Sequence, residues 1–128
     1  MSSFVIEGGA KLSGTINVPG AKNAATPILA AWLLTSGQCV IHNVPNITDV
    51  DKMLNLLKEL GASVHREGST VTVKADNISL KDLSANDVKA MRSSVLLMGP
   101  LLARLKNVRL PEPGGCFIGN RPLNAPWQ

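Results

Sequence analysis

At 128 residues, 45% hydrophobic but 3% aromatic and without tyrosine, the chain holds one domain, not two, around an aliphatic core of Leu, Val and Ala. Thirteen Lys and Arg against nine Asp and Glu leave a formal charge of +4, which favours an anionic partner, phosphorylated metabolite or nucleic acid. Two cysteines exclude a disulfide framework and match no zinc spacing. The N-terminus lacks the basic and apolar segments of a signal peptide, and the apolar run Ala24 to Leu34 is short of the roughly 20 residues a bilayer needs, so the chain reads as cytoplasmic.

Short strands are expected at Phe4 to Glu7 and Leu12 to Val18, punctuated by Gly8-Gly9 and Pro19-Gly20. A helix follows from Asn23 to Thr35, with Asn23 as N-cap, Pro27 within the first turn or so and Gly37 as its end. Because that helix is apolar nearly all round, it should be covered on all sides. A strand at Val40 to Val44 leads to Thr48 and Asp51, which have capping-box spacing. Val50, Met53, Leu54, Leu57 and Leu60 then recur at helical intervals until Gly61.

Val64 to Glu67 and Thr70 to Lys74 flank Gly68-Ser69, a two-residue hairpin signal, with Val71 and Val73 alternating against Thr72 and Lys74. Ser84 and Asp87 repeat the capping-box spacing ahead of a helix to Arg104, interrupted at Gly99-Pro100. A strand at Asn107 to Leu110 ends in a glycine-rich loop. The order is strand, helix, strand, helix and hairpin, followed by the beginning of a second such round.

That loop, Pro113-Gly114-Gly115-Cys116-Phe117-Ile118-Gly119-Asn120-Arg121-Pro122, carries the most informative residue of the chain. Paired glycines let the backbone approach a ligand and leave the thiol of Cys116 uncovered. Cys39, inside the run Cys39-Val40-Ile41, has instead the setting of a structural cysteine. The alternative for Cys116 is a small residue packed against Phe117 and Ile118. Lys22 is either a solvated lysine or, because a cation at a helix N-terminus opposes the dipole, the partner of a nearby anion. Arg92, on an apolar helix face, requires a partner or a cleft, and an ion pair or a ligand contact would serve equally. His42 and His65 have no metal-ligand neighbours in the sequence and read as structural or exposed. Asp49 and Asp51 serve a helix start.

Three stretches in order, Pro19-Gly20-Ala21-Lys22-Asn23-Ala24-Ala25, Val88-Lys89-Ala90-Met91-Arg92-Ser93-Ser94 and the loop from Pro113 to Pro122, resemble the N-terminal part of the UDP-N-acetylglucosamine enolpyruvyl transferases. The resemblance runs from Phe4 to about Leu123. It implies an α+β fold, a partial inside-out α/β barrel (prism) of about two strand-helix-strand-helix-hairpin units. Residues 1–128 would then be a single, truncated transferase domain, with residues 1–19 contributing opening strands that belong with a second domain.

The activity implied is transfer of the enolpyruvyl group of phosphoenolpyruvate to the 3-hydroxyl of UDP-N-acetylglucosamine, with loss of phosphate. This is the first committed step of peptidoglycan synthesis. In that scheme Cys116 is the catalytic proton donor, which can also form a covalent adduct with phosphoenolpyruvate. Lys22 and Arg121 hold phosphoenolpyruvate and the substrate phosphates, and Asn23, Arg92, Pro122, Leu123, Asn124 and Ala125 line the substrates. The family places an acidic residue near Asp49, and has aspartate where Asn124 stands.

A family site lies between two closing domains, so the isolated chain is expected to turn over poorly, and surface meant for a missing domain favours self-association or a complementing chain. No cofactor and no metal is implied, no Walker or dinucleotide motif is present, and neither nucleic acid nor membrane is an expected partner. The other reading is a non-catalytic module that binds a UDP-sugar or phosphoenolpyruvate.

Overall fold

The computed structural model describes residues 3–80, 83–89 and 91–111. Helix α1 spans Lys22–Ala31 and tightens into a 3-10 turn at Trp32–Leu34. Strand β1 (Gln38–Ile41), helix α2 (Thr48–Glu59), and the hairpin of β2 (Ser63–Glu67) and β3 (Thr70–Lys74) follow. The chain then forms a short helix α3 (Ala85–Lys89), a 3-10 segment Arg92–Leu97 and helix α4 (Met98–Leu105).

The three strands form one antiparallel sheet in the order β1-β3-β2, so the hairpin's second strand is central. Cys39 and Val64 both stand opposite Val73, and Ile41 and Arg66 opposite Val71. Strand side chains alternate between faces, so this set lies on the core side, while Thr72, with Val40 and His65 beside it, lies on the other. Val71 and Val73 are buried as their alternation predicts, and Cys39 is half-buried. Gly68, at φ 57°, supplies the left-handed conformation that a two-residue hairpin loop requires.

Helix α2 packs against α1 and β2 and buries Val50, Met53, Leu54 and Leu57, and Leu60, its C-cap, is buried too, so all five residues of the predicted stripe face the core. Leu56 is buried as well, because a helix packed on two sides needs a wider apolar arc than one resting on a sheet alone. Gly61 ends it at φ 99°, and a Cβ there would strike the Asn77 carbonyl oxygen. Ala25, Leu29, Ala30 and Leu33 join the same core from α1 and the turn after it.

Several sequence expectations are corrected. Residues 3–20 form no strand, and their apolar side chains lie in solvent, Phe4 at 96% and Leu12 at 92% exposure. A strand has no internal hydrogen bonds and needs a neighbour to complete its ladder; among the described residues this segment has none. Asn107 to Leu110 forms no strand for the same reason, although Val108 and Leu110 rest against the core. Helix α1 is not covered all round, since Ile28 and Leu34 remain exposed, and it ends through its 3-10 turn rather than at Gly37. Strand β1 stops at Ile41, where Asn43 turns the chain at φ 58°.

Neither predicted cap at α1 or α2 forms: Ala21 and Ile47 occupy the N-cap positions, with no side-chain capping bond. Asn23 is instead the second helical residue, and Asp51 turns to Arg66. The long helix expected up to Arg104 breaks upstream, at the 3-10 segment. Gly99 and Pro100 sit in the first turn of α4, where proline's missing N–H has no helical partner to lose.

Candidate functional site

The candidate site grows from the start of α1. Pro19-Gly20 brings the chain alongside the loop between β1 and α2 so closely that a Cβ on Gly20 would collide with the Asn43 carbonyl oxygen and lie 3.1 Å from Pro45 Cδ. Two residues on, Lys22 opens the helix. Its Nζ lies 2.9 Å from Asp49 Oδ2, with the lysine side chain 50% exposed. Asp49 is the second residue of α2, where the helix N-terminal N–H groups favour a carboxylate. The anion that a lysine at a helix N-terminus calls for is thus supplied within the chain, and the dipole argument alone no longer points to a bound ligand. Asn23 follows Lys22 on α1, exposed.

The β1–α2 loop is held from the sheet. Arg66 starts on the core side of β2, and its guanidinium donates to the carbonyl oxygens of Pro45 at 3.1 Å and Val44 at 3.5 Å, and to Asp51 Oδ1 at 2.9 Å. Two carboxylates in one helical turn therefore have separate partners, Asp49 with Lys22 and Asp51 with Arg66. Nothing in the spacing of Arg66 along its strand marked this role; only the closeness of the loop to the end of the sheet does.

Arg92 is half-buried at the first position of its 3-10 segment, not on a regular helix face, and that segment packs against α1. Ser94, fully buried, closes the turn, with its hydroxyl bonded to the Met91 carbonyl at 2.7 Å and the Val88 carbonyl at 3.0 Å. The approach to this turn is anchored by Glu59, whose carboxylate accepts the Ser84 N–H at 2.9 Å. Loss of hydration, reinforced by Asp87, holds the Glu59 carboxyl above its ordinary pKa despite that donor. Ser84 also caps α3 as expected, accepting the Asp87 N–H at 3.4 Å.

Lys22 and Arg92 are thus carried on elements that pack together. Cys116, Arg121, Pro122, Leu123, Asn124 and Ala125 lie outside the described residues. Arg104 was not singled out by sequence, yet it bonds the carbonyl oxygens of Ala75 at 2.6 Å, Leu33 at 3.2 Å, Asp76 at 3.3 Å and Thr35 at 3.4 Å, tying α4 to the ends of β3 and of the 3-10 turn. His42 meets Thr70 Oγ1 at 3.1 Å, and His65 is exposed. Among the described residues no cluster of three or more His, Cys, Asp or Glu is placed to hold a metal ion, and no helix is long and apolar enough to cross a membrane.

The chain is similar to known proteins both in sequence and in fold. A family model described as EPSP synthase (3-phosphoshikimate 1-carboxyvinyltransferase) matches residues 6–126. The UDP-N-acetylglucosamine 1-carboxyvinyltransferase 1 of Symbiobacterium thermophilum is 49% identical over 94% of this chain and 29% of its own length. The protein of the corresponding name from Methylacidiphilum infernorum is 48% identical over 97% of the chain and 29% of its own. The chain therefore spans about 30% of the length of such curated relatives. The crystal structure of the enolpyruvyl transferase NikO from Streptomyces tendae superimposes with a TM-score of 0.68 at 29% identity, covering 76% of this chain and 23% of that one. With residues 6–126 matched by the family model and 76% of the chain superimposed on a solved enolpyruvyl transferase, the chain belongs to the EPSP synthase family of enolpyruvyl (1-carboxyvinyl) transferases.

Proposed function

We propose that this chain carries the substrate-anchoring and proton-donating part of a cytoplasmic enzyme that transfers the enolpyruvyl group of phosphoenolpyruvate to the 3-hydroxyl of UDP-N-acetylglucosamine, releasing phosphate at the entry to peptidoglycan synthesis. The observation that carries the reading is identity of 44–49% over almost the whole chain to proteins named for that reaction. Phosphoenolpyruvate presents a phosphate and a carboxylate, and Lys22 and Arg121 supply cations for them. Cys116 gives its proton to the methylene carbon as the sugar hydroxyl, losing its own proton, adds to the neighbouring carbon; departure of phosphate with a proton from the new methyl group then restores the double bond as an enol ether. Asn23, Arg92 and the run Pro122, Leu123, Asn124 and Ala125 contact the two substrates.

The second reading, a module that binds without turning over, draws support from the exposed apolar side chains of residues 3–19. Phe4, Val5 and Ile6, then Leu12, Ile16 and Val18, are exposed with no strand paired to them among the described residues. In this proposal they pair with a second domain, as the opening strands of the longer relatives would, and the site is complete only when that domain or a complementing chain is present. Phosphate release from phosphoenolpyruvate, measured with and without UDP-N-acetylglucosamine and with Cys116→Ala as control, separates the two. Sugar-dependent release lost in Cys116→Ala supports the transferase. Saturable phosphoenolpyruvate binding by a folded chain without release supports the module.

A further inference from the structure

We propose that Asp49 is the positioning residue for Lys22, the side chain that fixes where the ammonium meets the phosphoenolpyruvate anion. The inference rests on the reading of Lys22 as an anion ligand. Its basis is geometric. The pair is 2.9 Å apart and joins the first turns of two helices packed on each other, so neither partner is on a loose strand end. The main chain before Lys22 is held by the approach of Gly20 to Asn43 and Pro45, and the main chain before Asp49 by the bonds of Arg66 to Val44 and Pro45.

Asp51, two residues further along α2 and committed to Arg66, shows that the two carboxylates are not interchangeable. A lysine carries four rotatable methylenes, and an anion that had to immobilise them itself would bind more weakly. Asp49 removes that disorder beforehand, while the lysine stays 50% exposed and accessible to a ligand from solvent.

Electrostatics and positioning predict opposite signs, which makes the role testable. Removing a negative charge beside an anion site tightens binding by charge alone, whereas losing the positioning contact loosens it. Phosphoenolpyruvate is titrated into the chain and its Asp49→Asn, Asp49→Glu, Asp51→Asn and Lys22→Ala variants, with folding checked by the amide spectrum and the Lys22 ammonium followed by nitrogen resonance. Asp49→Asn is expected to bind about three- to fivefold more weakly, the range of an exposed ion pair, and to shift the Lys22 resonance. Asp49→Glu should recover part of the loss, and Asp51→Asn should bind as well as the parent or better. Asp49→Asn binding as tightly as the parent, or leaving the Lys22 resonance unmoved, overturns the positioning role. Equal affinity in parent and Lys22→Ala overturns the anion-ligand reading itself, and is distinguishable because failure of the Asp49 role leaves the Lys22→Ala loss intact.

Discussion

Gly20→Ala is the most informative single change, because it adds one methyl group where the chain has no room for it. The new Cβ would overlap the Asn43 carbonyl oxygen and come within 3.1 Å of both the Asn43 carbonyl carbon and Pro45 Cδ. The first two contacts are backbone, which cannot rotate aside, and Arg66 holds the carbonyls of the following residues. Over-packing of this kind costs about 1–3 kcal/mol. The loss of unfolded-state freedom on replacing glycine returns about 0.4–1 kcal/mol, and Gly20 lies outside the left-handed region, so no strain in φ is added.

The net expectation is a destabilisation of about 1–2 kcal/mol. Urea unfolding should register it as a midpoint lowered by roughly 0.5–1 M at an unchanged slope. Gly99→Ala is the matched control: the same chemical change in the first turn of α4, with nothing within 4 Å, should raise the midpoint. A Gly20→Ala midpoint equal to or above that of the parent would refute the close approach, and with it the account of how Lys22 is placed.

Arg104→Met keeps the aliphatic stem but removes the donors to Ala75 and Leu33, both part-buried bonds, and should destabilise by about 2–3 kcal/mol, seen as a melting temperature lower by roughly 6–15 °C. The exposed Arg109→Met should change stability by no more than about 0.5 kcal/mol. Glu59 has a raised pKa in the folded chain, so above the ordinary carboxylate range the unfolded state gives up its proton first and stability falls as pH rises through the folded value. Glu59→Gln retains an acceptor for the Ser84 N–H and should flatten that part of the stability profile in thermal melts recorded from pH 4 to 7; an unchanged slope would refute the assignment.

Local chemistry made much of the fold legible. The stripe of α2, its glycine stop, the two-residue hairpin and the inward Val71 and Val73 each follow from a periodicity or a turn requirement that a few neighbouring residues satisfy by themselves. Lys22, Asn23 and Arg92 could be named from motifs, and the family from the order of those motifs.

What sequence by itself determined, then, was which segments have an apolar face, where the hairpin turns and which family the chain comes from, because those properties are carried by residues close together in the chain. Tertiary structure alone decided which strands exist and which charges meet. Phe4 to Ile6 and Leu12 to Val18 have the apolar content of short strands but no bonded neighbour among the described residues, and they stay in solvent. Thr48 and Asp51 have the spacing of a cap, but Asp51 lies within reach of Arg66, a charge-assisted bond that a local cap does not outcompete. Asp49 faces Lys22 across 27 residues of sequence, and only the packing of α1 on α2 brings them together.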